Sequence, residues 1–100
     1  MPVFIEGLTR FEWDEAKRLS NIEKHGIDFV DVTATFFDDQ SLVYQSPVLS
    51  VEPRSVLIGE AHGRVIAVIF TVRDGVVRLI SARRARRIEC EQWARSEPFD

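Results

Sequence analysis

Residues 55–83 read SVLIGEAHGRVIAVIFTVRDGVVRLISAR, and they are the part of the chain with the clearest structural pattern. It contains three apolar runs rich in β-branched residues, which favour strands. His62-Gly63 separates the first two runs, and Asp74-Gly75 separates the last two. Asp-Gly is a strong signal for a two-residue hairpin turn. The stretch therefore predicts a three-stranded antiparallel meander with strands at 55–61, 64–72 and 76–83.

Two-residue turns would fix how these strands pair. Phe70 then faces Leu79, Gly59 faces Ile66, and Ile66 faces Arg83. Because side chains alternate along a strand, the pairing predicts two faces. The first face is apolar and carries Val56, Ile58, Val65, Ala67, Ile69, Ile80 and Ala82. The second face is mixed and carries Ser55, Leu57, Arg64, Val68, Phe70, Leu79, Ser81 and Arg83.

The mixed face has a candidate anion site at one end. Arg64 and Arg83 would lie beside Gly59, which has no side chain to fill the space between them. Guanidinium groups match phosphate oxygens bidentately, so the pattern predicts a phosphate-binding site there. The alternative is that Arg64 lies by a turn and pairs with Glu60, as exposed charges commonly do.

The N-terminal half predicts a short edge strand followed by two helices. The strand covers 9–13. The first helix runs from an N-cap at Asp14 to about His25, with Gly26 at the position that favours a positive φ. Asp28 starts the second, because the apolar residues from Phe29 onward repeat with helical spacing. These helices are expected to cover the apolar face of the sheet.

The rest of the chain is assigned from turn-forming residues and a change of periodicity. Asp38-Asp39 ends the second helix, residues 41–45 form a strand, and 46–54 form a loop. A charged C-terminal helix runs from Arg84 to about Arg95. The fold class is α+β: two N-terminal helices on an antiparallel sheet, with a C-terminal helix. Residues 1–100 form a single domain, with 1–8 as a lead-in and 97–100 as a tail.

Composition narrows the class of protein. The 100 residues are 45% hydrophobic and 29% charged, with one cysteine and a net charge of −3. The apolar runs are too short to span a membrane, and the start has no signal-peptide pattern. With no internal disulfide possible, we expect a cytoplasmic protein.

The charge is distributed unevenly along the chain. Residues 1–50 hold four basic and nine acidic residues, a net of −5. Residues 54–87 hold eight arginines and two acids, a net of +6. This asymmetry predicts a surface for an anionic partner; the alternative is a solvated, ion-paired surface.

Several short motifs together resemble the BrnT-type toxin family from about residue 9 to 90. They are Phe11-Glu-Trp-Asp14, Lys17, Asn21, Lys24-His25-Gly26, Phe29 and Ile80-Ser-Ala-Arg-Arg-Ala85. The resemblance implies a RelE-like fold and a ribonuclease toxin of a type II toxin–antitoxin system. It also implies neutralisation by a BrnA-type antitoxin that dimerises and binds the promoter DNA.

Metal-free cleavage of RNA requires a base, an acid and positive charge on the phosphorane. The candidate catalytic residues are Lys24, His25, Arg64 and Arg83. Histidine suits proton transfer near neutral pH, although Lys24 and His25 also suit the capping of a helix that ends at Gly26. The candidate RNA-binding residues are Lys17, Arg84, Arg86 and Arg87.

For the last three arginines, the alternative is solvation or contact with the antitoxin. The spacing of His and Cys predicts no metal site, and no cofactor motif is present. The competing function is a catalytically weak or inactive RelE-like module that acts as co-repressor with a DNA-binding antitoxin.

Overall fold

The computed structural model describes residues 10–47 and 52–95. The predicted lead-in 1–8 and tail 97–100, and part of the predicted loop 46–54, lie outside the described residues. In the part of the chain that the structure describes, five strands form one sheet in the order β1-β5-β4-β3-β2. The strands are β1 (Arg10–Glu12), β2 (Leu42–Gln45), β3 (Ser55–Ala61), β4 (Arg64–Arg73) and β5 (Val76–Arg84). The helices are α1 (Glu15–His25), α2 (Phe29–Val32) and α3 (Arg87–Arg95).

The predicted meander and both of its turns are confirmed. Ala61 pairs with Arg64 across the first turn, and Arg73 pairs with Val76 across the second. All four turn residues have positive φ, between 52° and 77°. That conformation is the type I′ turn, whose twist matches the twist of the flanking strands.

The pairing of β4 with β5 differs from the prediction beyond Phe70. Phe70 pairs with Leu79 as expected, but Ile69 pairs with Ser81, so Ile80 is an extra residue that bulges from β5. A bulge reverses the side-chain alternation on one side of it. The predicted pairing of Ile66 with Arg83 is therefore wrong, because Ile66 pairs with Arg84.

The N-terminal helices cover the opposite face from the one predicted. The core beneath α1 and α2 holds side chains from β3, β4 and β5: Leu57, Ile66, Val68, Phe70, Val77, Leu79 and Ala82. Phe29, Val32 and Phe36 pack against them. Residues Val56, Ile58 and Ala67 lie on the other face, which α3 covers with Trp93. Ala82 changes face relative to the prediction because of the bulge.

Helix α1 agrees with its prediction at both ends. The carboxylate of Asp14 accepts hydrogen bonds from the backbone N–H groups of Ala16 and Lys17. Gly26 has φ 69°, and its N–H donates to the carbonyl of Ile22 at 2.8 Å. These contacts satisfy backbone groups that a helix end would leave unpaired.

The predicted second helix is not confirmed as a full helix. Asp28 caps α2, but α2 is a single turn and continues as a 3-10 helix at Thr33–Phe37. The hydroxyls of Thr33 and Thr35 donate to the carbonyls of Val30 and Val32. Such side-chain bonds compete with the α-helical pattern, and β-branched residues weaken it further.

The two ends of the chain complete the sheet and cover it. β1 is an edge strand as predicted, but it runs parallel to β5, so the sheet is mixed rather than antiparallel. β5 extends to Arg84, and α3 therefore begins later than predicted, at Arg87. Within residues 10–47 and 52–95, no helix is long and apolar enough to cross a membrane.

Candidate functional site

Arg83 lies on the α3 side of the sheet and is held by a carboxylate. Its two terminal nitrogens donate to the two carboxylate oxygens of Glu89 at 2.8 and 3.0 Å. The Glu89 side chain is 4% exposed and that of Arg83 is 20% exposed. Tyr44 also donates its hydroxyl to Glu89, and so does the backbone N–H of Arg86. Arg83 thus belongs to a closed network that attaches α3 to the sheet.

The electrostatics of this network agree with a structural role. The hydrogen bonds from Arg83, opposed by burial, lower the pKa of Glu89 from 4.5 to about 2. Burial, followed by the hydrogen bond to Glu89, raises the pKa of Tyr44. Glu89 is therefore ionised and Tyr44 is neutral over the physiological range. In addition, Glu89 is the third residue of α3, where a carboxylate that accepts from a preceding N–H stabilises the start of a helix.

The predicted phosphate site beside Gly59 is wrong in two respects. Arg64 and Arg83 point to opposite faces of the sheet, because the bulge at Ile80 reverses the alternation between them. The space over Gly59 is also filled. A Cβ atom placed on Gly59 would lie 2.6 Å from the Ser41 hydroxyl oxygen, which donates to the carbonyl of Thr35.

Three of the predicted residues do come together on the helix side of the sheet. Lys17, Lys24 and His25 line one open cleft between α1 and β5. Its opposite wall is the bulged segment, Ile80 and Ser81. We call this the α1–β5 cleft. Bulges are common beside active sites, where they redirect side chains.

Asn21 positions α1 against this wall. Its amide nitrogen donates to the carbonyl of Ala82 at 2.8 Å, and its amide oxygen accepts from the N–H of Ala82 at 3.0 Å. The same nitrogen also donates to the carbonyl of Ile27. β1 pairs with β5 only as far as Arg78. Asn21 therefore replaces a neighbouring strand at the next part of the β5 edge and holds the two cleft walls together.

A second cleft contains two arginines. This pair differs by one residue from the predicted pair, Arg64 and Arg83. Arg64 and Arg84 line it together with Cys90. We call it the arginine cleft. Arg84 takes this place because the bulge brings it opposite Ile66, on the face that Arg64 occupies. Within the described part of the chain, neither arginine forms an ion pair, and the alternative pairing of Arg64 with Glu60 is not present.

A third cleft lies beside the arginine cleft. It lies between the α1–α2 corner and the β3–β4 turn, and it contains Gly26, Asp31, His62 and Arg64. We call it the turn cleft. It shares Arg64 with the arginine cleft, and its Gly26 follows His25 of the α1–β5 cleft. The turn cleft and the arginine cleft are therefore neighbours at Arg64, and the α1–β5 cleft begins on the other side of the end of α1.

The α1–α2 corner that borders the turn cleft is held by an ion pair. Arg18 donates from two nitrogens to both carboxylate oxygens of Asp28, at 2.9 and 3.1 Å. The hydrogen bonds from Arg18 lower the pKa of Asp28. The same carboxylate caps α2 through the N–H of Val30. Asp28 is therefore occupied by structural contacts.

Arg86 and Arg87 lie apart from the three clefts, at the start of α3. Both are exposed. Arg87 pairs with Glu91 at 3.4 Å across one helical turn, and the backbone N–H of Arg86 donates to Glu89. Their role in RNA binding stays a prediction.

The sequence reasoning missed the structural role of Asn21 and the exchange of Arg84 for Arg83. A signal for the second was present. Strict alternation from Val77 and Leu79 places the polar Ser81 and Arg83 on the same face as that apolar row. An extra residue between Leu79 and Ser81 separates these polar residues from the apolar row. Nothing comparable in the sequence marks Asn21 as a substitute for a strand.

Comparison with protein families identifies the chain. Residues 13–89 match the family described as ribonuclease toxin, BrnT, of type II toxin-antitoxin system. The match covers more than half of the chain, so the protein belongs to the BrnT family. This confirms the resemblance inferred from the motifs. A comparison with curated proteins gave no match.

Membership of this family implies a ribonuclease toxin that has an antitoxin as its partner. The first and last residues of the matched region both make tertiary contacts. Trp13 packs against Phe29, and Glu89 accepts a hydrogen bond from Arg83. In the described residues, no group of three or more His, Cys, Asp or Glu side chains is placed to hold a metal ion.

Proposed function

We propose that this protein is a metal-independent endoribonuclease of the cytoplasm that inhibits translation and is neutralised by a BrnA-type antitoxin. One observation carries the proposal. Open clefts are lined by the side chains of Lys17, Lys24, His25, Arg64 and Arg84, whereas Arg83 is already paired with Glu89. Unpaired cations beside open space are available to a polyanion, and phosphate contacts supply most of the affinity for a nucleic acid.

The residues of these clefts support a division of roles. Arg64 and Arg84 suit stabilisation of the phosphorane, since guanidinium groups bind phosphate oxygens in a fixed geometry. His25 suits proton transfer to or from the reacting oxygens. Lys24 adds positive charge next to it, and Lys17, two turns earlier on α1, suits a contact with the RNA backbone.

Two parts of the predicted site change their meaning in this proposal. Arg83 acts as a structural residue, because both of its terminal nitrogens are engaged by Glu89. Arg86 and Arg87 extend the basic surface toward α3, where they suit either the RNA backbone or the antitoxin. A sheet covered by helices also supports the RelE-like fold that the motif resemblance implies.

Cleavage of RNA by the purified full-length chain in EDTA tests the proposal. We expect cleavage to persist in the chelator and to fall about 100-fold in Arg84→Ala, the size of effect seen when one donor to a reacting oxyanion is removed. His25→Gln tests proton transfer in the same assay. The control is Arg10→Ala, which removes an exposed arginine from β1 at the other end of the sheet.

Two results would refute this site. The first is cleavage by Arg84→Ala at the wild-type rate, provided that circular dichroism shows both proteins folded. The second is complete loss of wild-type cleavage in EDTA, which would show that a metal ion takes part.

The net charge of −3 favours a second candidate function. An acidic chain binds polyanions weakly at long range, which suits an inactive module that represses transcription together with its antitoxin. The two functions differ in a cell. An active toxin arrests growth when expressed alone and is rescued by the protein encoded beside it, whereas an inactive module does neither.

A further inference from the structure

The turn cleft is a small cavity beside the arginine cleft, with which it shares Arg64. Its volume is about 210 Å³, below the roughly 300–1,000 Å³ of pockets that enclose drug-sized ligands. Ile27, Val32, Ala61 and Ile66 provide apolar walls. A space of this size, apolar inside and polar at the rim, suits one flat heterocycle.

Three polar side chains lie at the rim: the carboxylate of Asp31, the guanidinium of Arg64 and the imidazole ring of His62. Of the two carboxylates that line the cleft, Asp28 is engaged by Arg18 and by the α2 cap. Asp31 has only a distant contact, 3.8 Å from His62, and its side chain is 52% exposed. Asp31 is therefore the carboxylate that can accept hydrogen bonds from a ligand.

Arg64 supplies the donor and His62 supplies the ring. Arg64 makes no ion pair with any described residue, and it lines both this cleft and the arginine cleft. His62 is placed by the β3–β4 turn, where it has φ 52°. Histidine is one of the side chains on which unstacked RNA bases stack.

We propose that the turn cleft binds a guanine base of the RNA next to the cleaved phosphate. Guanine has two adjacent donors, N1–H and the N2 amino group, which one carboxylate can accept together. It also has two adjacent acceptors, O6 and N7, which match a guanidinium. Asp31 and Arg64 provide these two complements, and no other base presents both pairs.

This inference rests on the proposed function, because Arg64 is the link between the two. It lies where the base in the turn cleft and the phosphate in the arginine cleft would adjoin. The inference adds a preference of the enzyme for guanine beside the cleavage position.

Binding of free mononucleotides to the intact chain tests the proposal without any cleavage. We expect GMP to bind about 10-fold more tightly than AMP, the discrimination of one good bidentate contact. IMP, which lacks the N2 amino group, should lie between them. Titrations followed by the NMR signals of His62 and Asp31 give the affinities and locate the site.

Matched variants separate the groups of the cleft. Asp31→Asn should remove the preference for GMP over AMP, whereas Asp39→Asn, an exposed aspartate outside the cleft, should retain it. His62→Ala should weaken GMP and AMP alike, about fivefold, because stacking tolerates any base. Equal binding of all nucleotides, or an unchanged preference in Asp31→Asn, would overturn the proposal.

The outcomes also distinguish this inference from the proposed function. Selective binding of GMP without cleavage of RNA would support the guanine site and refute the proposed ribonuclease activity. Cleavage of RNA with no guanine preference at the cleavage position would support the activity and refute the guanine site.

Discussion

The two faces of the sheet use arginine in opposite ways. On the α3 face, Arg83 is four-fifths buried and donates two hydrogen bonds to Glu89. Strand alternation places Arg64 and Arg84 on the face that α1 and α2 cover. Both are exposed and line an open cleft at the end of the sheet. Arg83 and Arg84 are adjacent in sequence, yet one holds a helix in place and the other faces solvent.

Residue type alone therefore does not identify a binding site. A guanidinium that is satisfied by a buried carboxylate has no hydrogen bonds left for a ligand, and separating the pair is costly. A guanidinium beside open space keeps its donors for phosphate. The partner, not the residue, decides between a structural and a functional role.

Removing Arg83 should have the largest effect on stability. We expect Arg83→Ala to lower the free energy of unfolding by about 4 kcal/mol, since it leaves the buried Glu89 without its cation. Urea denaturation measures the change, and Arg84→Ala is the matched control, with an effect below about 0.5 kcal/mol. A stable but inactive Arg83→Ala protein would reverse the comparison and restore Arg83 as a catalytic candidate.

Acid should weaken the α3 face in a defined range of pH. The pKa of Glu89 is about 2 in the folded protein and 4.5 ordinarily, so the unfolded chain binds the proton first as the pH falls. The stability that Glu89 provides, about 3 kcal/mol, is complete above pH 4.5 and is lost as the pH falls toward 2.

The variant Glu89→Gln separates the pH-dependent stability that Glu89 provides from that of Asp28, whose pKa is also lowered. The difference in unfolding free energy between wild type and variant should shrink between pH 4.5 and about 2. A constant difference across that range would show that the charge of Glu89 contributes nothing to the α3 face.

Loss of the Asn21 amide should lower stability by weakening the attachment of α1 to β5. Asn21→Ala leaves the N–H and the carbonyl of Ala82 unpaired, and we expect a loss of about 2 kcal/mol. The control is Ser20→Ala, a change to the preceding residue of the same helix. Thermal unfolding compares the two variants, and equal melting temperatures would contradict the role of Asn21 as a substitute for a strand.

The smallest effect should come from Lys17. If Lys17 contacts one phosphate, Lys17→Ala should weaken RNA binding a few-fold and reduce the slope of log affinity against log salt by about 1. Titration of a labelled RNA at several salt concentrations measures the slope, with Arg10→Ala as the control. An unchanged slope would show that Lys17 in the α1–β5 cleft does not contact the RNA backbone.

Much of the fold was readable because local rules act over a few residues. Asp14 and Gly26 mark the ends of α1, and Asp74-Gly75 specifies the second hairpin turn, as predicted. The family was also readable, since its motifs are short and ordered along the chain. The second helix was misjudged because the hydroxyls of Thr33 and Thr35 compete locally with the helical hydrogen bonds.

The strands, their turns, the first helix and the concentration of arginine near the last strand follow from local sequence. The cleft that each arginine lines, and the face that each helix covers, depend on the assembled sheet. One extra residue, Ile80, reverses the direction of every side chain beyond it in β5. The formation of this bulge depends on how β5 packs against α1 and α3, and not on the residues next to Ile80 in the sequence.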